Sequence, residues 1–338
     1  MAASPKRVTL KDVAARAGVS TATVSIVLLG KEDLVPVNAQ TAMRVREAAD
    51  ALGYAPNLLV RCMKQGRTGI LGFYNSYRNY GIDDLHMSRL VAAMQRATRR
   101  RDGNLLIYTT FGRSPEETYH FLAGGHIDGL VLYAPAPTDP LLQLLRPSRL
   151  ATVLMNGRDE QGEFPCVRDD VADGMNQVAD ELIRLGHSRV GCVVEVDAHP
   201  DAAERISLLE IALAVRGAEP VQHVIHEGEA RDQIHRVLNQ PDAPTALFFW
   251  RDRLAYWWAE ACQKEGIDVP GRVSIVGYDG LQWPAATPHV VASVHVDLEL
   301  LADATLDILE QQISEEPITE DPVLIPVTFS HGTTLGPA

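Results

Sequence analysis

The sequence predicts an α/β core of two lobes with parallel sheets, preceded by an all-α helix-turn-helix headpiece. Three observations predict it. The first sixty residues carry apolar positions at helical spacing, punctuated by cap residues and glycines. From Thr68 onward, short apolar strands alternate with amphipathic helices, and this alternation runs twice. The charge also divides at the same boundary: residues 1–70 hold ten Lys and Arg against five Asp and Glu, a balance of +5, which leaves −18 on the remainder of a chain of net charge −13.

The headpiece elements follow from local chemistry. Thr9 is an N-cap, with Asp12 three residues later as a short capping box. Leu10, Val13, Ala14 and Ala17 form one small apolar face, and Gly18 ends the helix. Ser20 caps a second helix whose exposed first residues are Thr21 and Ala22, with Val24, Val27 and Leu28 facing inward. A third helix starts at Asn38, carries Ala42, Val45, Ala48, Ala49 and Leu52 as its stripe, and stops at Gly53. Two short helices joined by a tight turn are the geometry that lays a helix in the major groove of DNA. After the break at Tyr54-Ala55-Pro56-Asn57, the segment 58–64 is too short to be a stable helix alone and is expected to fold on a partner.

In the body, strands are expected at 69–73, 104–109, 129–133 and 151–155, with helices at 86–101, 115–123 and 141–145 between them. A second series begins near Val171. Its helices are expected at 171–185, 202–216, 230–238 and 252–265, and its strands at 187–194, 221–226, 245–249 and 273–278. Two such series imply two lobes with a cleft between them, and the carboxyl ends of parallel strands are where these sheets bind ligands.

Composition excludes several classes. Cys62, Cys166, Cys192 and Cys262 are far apart, so neither a disulfide framework nor a zinc site is read, and a reduced, cytoplasmic setting is expected. No apolar run marks a signal peptide or a membrane span. Phosphate-binding glycine loops and a nucleophile elbow are absent, so no catalytic residue, cofactor or metal is expected. A basic head on an acidic body suits a module that binds nucleic acid while the body avoids it.

The order Val8-Thr9-Leu10-x-Asp12-Val13-Ala14, Ala17-Gly18-Val19-Ser20, Thr23-Val24-Ser25 and Leu52-Gly53-Tyr54-x-Pro56-Asn57 resembles the headpiece of the lactose-repressor (LacI/GalR) family of bacterial transcription regulators. The resemblance continues through Arg184-Leu185-Gly186-His187-x-Arg189-Val190, Pro244-Thr245-Ala246, Val269-Pro270, Val273-Ser274-Ile275-Val276-Gly277-Tyr278-Asp279 and Gly332-Thr333-Thr334-Leu335. It implies a headpiece over 1–57, a hinge helix over 58–66 and an effector-binding and dimerisation core over 67–338. Within that core it implies a first lobe of about 67–167 and 296–326, and a second of about 168–295 and 327–338, both similar to periplasmic binding proteins. It implies a cytoplasmic, nucleoid-associated homodimer on near-palindromic double-stranded operator DNA, switched by a small effector such as a sugar or sugar derivative, with no membrane partner. A regulator responding to a nucleoside or to no effector stays open, and a solute-binding protein is opposed by the headpiece.

By position, the resemblance puts Thr9, Ser20, Thr21, Ala22, Thr23, Ser25, Asn57, Arg61 and Met63 on the DNA, with Met63 where the family has a wedge that kinks the minor groove. It puts Tyr74, Asn75, Asn156, Arg205, Arg251, Asp252, Asp279 and Trp283 around the effector. Two departures stand out. Ile26 and Leu29 replace the usual Arg and Asn of the second helix, and Arg251 replaces the usual Asn of an Asn-Asp pair, which favours a different, acidic ligand.

Overall fold

The computed structural model describes residues 8–30, 35–54, 67–76, 84–108, 112–195, 200–225, 230–319 and 321–338. The chain divides into two compact units, Met1–Gly69 and Ile70–Ala338.

The first unit contains α1 (Leu10–Ala17), α2 (Thr21–Leu28) and α3 (Ala39–Leu52). Each starts on the cap its sequence supplies. Thr9 and Asp12 form a reciprocal capping box, the Ser20 hydroxyl accepts from the Thr23 N–H at 3.1 Å, and Asn38 Oδ1 accepts from the Gln40 N–H at 2.8 Å. Gly18 and Gly53 close α1 and α3 at φ of 66° and 60°, where a side chain is strained. Val13, Val24 and Val45 are fully buried among small alanines, which let the three helices approach closely.

The second unit holds two six-stranded sheets. Lobe 1 contains β1 (Ile70–Asn75), α4 (Leu85–Arg100), β2 (Asn104–Tyr108), α5 (Pro115–Leu122), β3 (Gly129–Tyr133), α6 (Pro140–Leu145), β4 (Ala151–Met155) and β5 (Cys166–Asp169). The chain then enters lobe 2 with α7 (Val171–Arg184), β6 (Arg189–Glu195), α8 (Pro200–Val215), β7 (Glu219–Ile225), α9 (Ala230–Leu238), β8 (Ala246–Phe249), α10 (Asp252–Lys264), β9 (Ser274–Asp279) and β10 (Ala292–Val296). It returns to lobe 1 with α11 (Leu298–Ile313) and β11 (Val323–Ile325), and ends in lobe 2 with β12 (Val327–Ser330).

The sheet orders are β11-β5-β4-β3-β1-β2 and β12-β10-β9-β8-β6-β7. The first sheet is parallel throughout, and in the second only β12 runs antiparallel, against β10. Helices cover both faces of each sheet, which is why the central strands read as unbroken apolar runs. In β3, Val131 and Tyr133 join the core under α4 and α11, while Leu130 and Leu132 join the one under α5 and α6. In lobe 2, α7 and α8 close one face and α9 and α10 the other.

Strand order reverses between β1 and β3 in lobe 1 and between β6 and β8 in lobe 2. These switch points open a crevice at the strand carboxyl ends. The chain passes between lobes three times: from β5 to α7, from β10 to α11, and from β11 to β12. No helix among the described residues is long and apolar enough to cross a membrane.

Candidate DNA-reading face and interlobe effector cleft

In the headpiece, the caps determine what α2 presents. Thr21 and Ala22 are exposed in its first turn, whereas Thr23 and Ser25 are half-buried. The Ser20 and Thr23 hydroxyls share a hydrogen bond of 2.9 Å, and the exposed Thr9 hydroxyl donates to Asp12 Oδ2 at 2.7 Å. The N-terminus of α2 leaves backbone N–H groups for an anion such as a phosphate. Lys11, Arg16, Arg44 and Arg46 are exposed on α1 and α3. Asn57, Arg61 and Met63, and with them the expected hinge over 58–66, lie outside the described residues.

In the second unit, the strand ends converge on Arg205. This side chain projects from α8 and is almost fully buried. Its Nη1 donates to the Trp250 carbonyl at 2.8 Å and to Asp279 Oδ1 at 3.4 Å, and its Nη2 lies 3.8 Å from Asp169 Oδ2. The guanidinium stacks on the Tyr278 ring, 3.7 Å from its centroid. Burial opposes its charge, but Asp279, Tyr278 and Asp169 outweigh that and hold it firmly protonated.

Besides Arg205–Asp169, two further contacts here cross between the lobes. The Tyr278 hydroxyl, from lobe 2, donates to Asp169 Oδ2 at the end of β5 in lobe 1. Asp279 Oδ1 lies 3.8 Å from Nδ1 of His86 on α4, whose Nε2 meets the Tyr133 hydroxyl at 3.1 Å. Burial raises the Asp279 pKa, against the pull of His86 and Arg205, and Asp169 and Asp84 raise it further. Arg205 and His86 thus face several carboxylates at this lobe boundary.

Backbone strain marks the same rim. Ala134, Asn156 and Asp279, at the ends of β3, β4 and β9, have φ of 48°, 48° and 113°, a region side chains avoid. Asn156 is buried, and its Oδ1 has no hydrogen-bond partner among the described residues; the same holds for Arg205 Nε. Both residues line an interlobe cavity of about 210 Å³, together with Arg158, Asp169 and Glu204. Glu204 of lobe 2 pairs with Arg158 and, at 3.1 Å, with Arg168, both of lobe 1.

Of the expected residues, Asn156 and Arg205 line this cavity and Asp279 meets Arg205 beside it, while the others have the following neighbours. Asp252 points inward, accepting from Leu281 N and from Ser293 Oγ, each at 2.6 Å. Burial and Asp279 raise its pKa well above the ordinary carboxylate range. Its place is to hold the segment after β9. Trp283 lines a separate depression of about 280 Å³ with Arg253, Trp257 and Glu260. Tyr74 packs against the core under α5 and α6, and Asn75 is half-buried at the end of β1. Arg251 donates through Nη2 to both oxygens of Glu195, at 2.9 and 2.7 Å, so its charge is already matched. That pairing removes the reason to expect an acidic ligand at Arg251.

His86, Tyr133, Asp169 and Glu195 escaped the sequence reading. Each matters through a partner far along the chain, and Tyr133 and Glu195, the last residues of strands beside a switch point, carried a positional signal. Among the described residues no group of three His, Cys, Asp or Glu is arranged for a metal.

Comparison with known proteins agrees with this geometry. Residues 9–57 match the family described as bacterial regulatory proteins, lacI family, and residues 179–335 match a periplasmic binding protein-like domain. The chain is 27% identical to the HTH-type transcriptional repressor PurR of Vibrio atlanticus, covering 91% of this chain and 92% of that protein. It is 25% identical to the ribose operon repressor of Escherichia coli, covering 96% and 99%. Its fold matches that of the lac repressor dimer bound to operator and the anti-inducer ONPF, with a TM-score of 0.84 at 21% identity over 97% of this chain and 99% of the other.

Proposed function

Because the chain belongs to the lacI family of bacterial regulatory proteins, we propose that it is a transcriptional repressor, dimeric on a near-palindromic operator, whose hold on DNA is set by a small polar effector between the lobes. The division into a headpiece over 1–57, a hinge over 58–66 and a core over 67–338 is part of this reading.

One observation carries it. Asn156 Oδ1 and Arg205 Nε are buried, lack partners among the described residues and line one interlobe cavity. A buried acceptor and a buried donor left unsatisfied each cost free energy until a partner group fills them. A ligand offering hydroxyl, amide or ring-nitrogen groups satisfies both. The relative named as a ribose operon repressor makes sugars the first class to try, with nucleosides, left open by the sequence, as the second.

The mechanism follows from the same cluster. Tyr278–Asp169 and His86–Asp279 join the lobes directly. An effector that engages Asp279 or Arg205 competes for, or reinforces, those pairs and so changes the angle between lobes. It shifts DNA affinity only by its difference in affinity for the two arrangements.

The test is a thermal-shift screen of sugars, sugar acids, nucleobases and nucleosides against the full chain, followed by operator binding with each hit. The expected result is one chemical class that raises the melting temperature and changes DNA affinity. Stabilisation with no effect on DNA, or no stabilisation by any class, counts against an effector-controlled repressor.

A further inference from the structure

We infer that this protein reads its operator through methyl groups: the outward face of α2 is an apolar strip of Ala22, Ile26 and Leu29 that fits the C5-methyl groups of thymines in the major groove. The inference rests on the DNA-binding reading above.

The α2 sequence, Thr-Ala-Thr-Val-Ser-Ile-Val-Leu, contains no charged residue. Its inward side is accounted for: Val24 and Val27 are buried in the headpiece core and Leu28 packs against it. At helical spacing, Ala22, Ile26 and Leu29 fall within about 60° of arc on the opposite side. Ala22 is exposed, Ile26 and Leu29 are half-buried, and among the described residues none of the three joins that core. The helix is therefore apolar on two faces, and among the described residues only one of them joins the headpiece core.

An apolar face on a DNA-facing helix has one natural counterpart in the groove. Of the groups that base pairs present there, only the thymine methyl is apolar. The side chains that clasp guanine or adenine with paired hydrogen bonds are Arg, Lys, Asn and Gln, and α2 has none of them. Its polar side chains are hydroxyls alone: Thr21, Thr23 and Ser25. The Thr23 hydroxyl is already bonded to that of Ser20.

The charge is distributed to match. Among the described headpiece residues the cations are Lys11, Arg16, Arg44 and Arg46, all on the neighbouring helices and all exposed. Cations on α1 and α3 suit phosphates, which position a protein without specifying sequence, and the strip is left for the bases.

The experiment selects a preferred duplex from a random pool with the full chain, then replaces each thymine of one half-site by deoxyuridine. That exchange removes a methyl group and keeps the base-pairing edge. At two or more positions affinity is expected to fall about fourfold per methyl, with the salt dependence unchanged. Ile26→Ala is expected to abolish the thymine-over-uracil preference at one of those positions without lowering the melting temperature. Ile26→Arg is expected to move the selected base there to guanine. Equal affinity for thymine and deoxyuridine at every position overturns methyl readout while leaving DNA binding intact. Selection of no sequence at all overturns both.

Discussion

Tyr278 of the second lobe donates its phenolic hydrogen to Asp169 of the first, while the same ring carries the Arg205 guanidinium on its face. One side chain thereby serves a carboxylate across the lobe boundary and a cation within its own lobe. Burial and the adjacent Asp169 keep the phenol protonated, so it remains a donor throughout the physiological range.

Tyr278→Phe separates the two roles. The stack survives, but Asp169 loses its hydroxyl donor while remaining buried. A buried acceptor deprived of its partner costs about 1–3 kcal/mol. The urea midpoint of the core transition is expected to fall accordingly, and an unchanged midpoint rejects the bridge as a stabilising contact.

Asp279→Asn tests the cleft. Its carboxylate is shared by Arg205 and His86 and sits at a strained strand end. With the compound identified by thermal shift, calorimetric affinity is expected to drop about 10-fold or more, the loss typical of a charge-assisted hydrogen bond. Undiminished ligand affinity takes Asp279 out of the site, and an altered ligand-free DNA affinity would trace to the lost His86 pair across the lobes.

Asp159 gives a pH-dependent prediction. It accepts from Arg146 at 3.1 and 2.5 Å and from the N–H groups of Gln161, Glu163 and Phe164. Burial opposes its ionisation, but these donors prevail and hold its pKa well below the usual carboxylate range. A depressed folded-state pKa stabilises above the unfolded value, near 4, and that contribution is lost as pH falls through the folded one. The stability difference between wild type and Asp159→Asn should therefore be full at pH 6 and shrink progressively below about pH 4. A difference that is constant down to pH 2.5 contradicts the assignment.

Gly332 turns the chain after β12 at a φ of 56°. A Cβ there would lie 2.3 Å from the Val290 carbonyl oxygen and 2.6 Å from Ala292 N, both backbone atoms. Gly332→Ala is expected to cost about 2–4 kcal/mol, read as a lower melting temperature. A melting temperature within a degree of wild type shows that this turn relaxes freely.

The headpiece was legible because its signals are local. Thr9, Asp12, Ser20 and Asn38 announce helix starts, Gly18 and Gly53 announce stops, and each does in the structure what its chemistry requires. The central strands were legible because burial on both faces leaves apolar runs. By contrast, β5 is four residues long, pairs with β4 over two residues and depends on β11 from the far end of the chain. No local period announces such a strand. The late return of the chain to lobe 1 came from the family resemblance and not from periodicity. At the site, Asn156, Arg205 and Asp279 were legible as strand-end or matched positions. His86 and Asp169 were not, because they acquire meaning only when two lobes approach. Asp252 is a matched position whose buried contacts, to Leu281 N and Ser293 Oγ, no local pattern announces.

The threefold passage of the chain between lobes has a consequence for synthesis. A chain emerging from the ribosome as far as residue 297 has every strand of the second sheet except β12. The first lobe, begun more than two hundred residues earlier, still lacks Leu301, Leu306 and Leu309, which α11 contributes to its core. Neither lobe is a contiguous stretch of sequence, so neither can be completed, or inherited, alone. A stop codon anywhere before β11 leaves both unfinished, and the two lobes reach their final form within a few residues of each other, as β11 and then β12 are made.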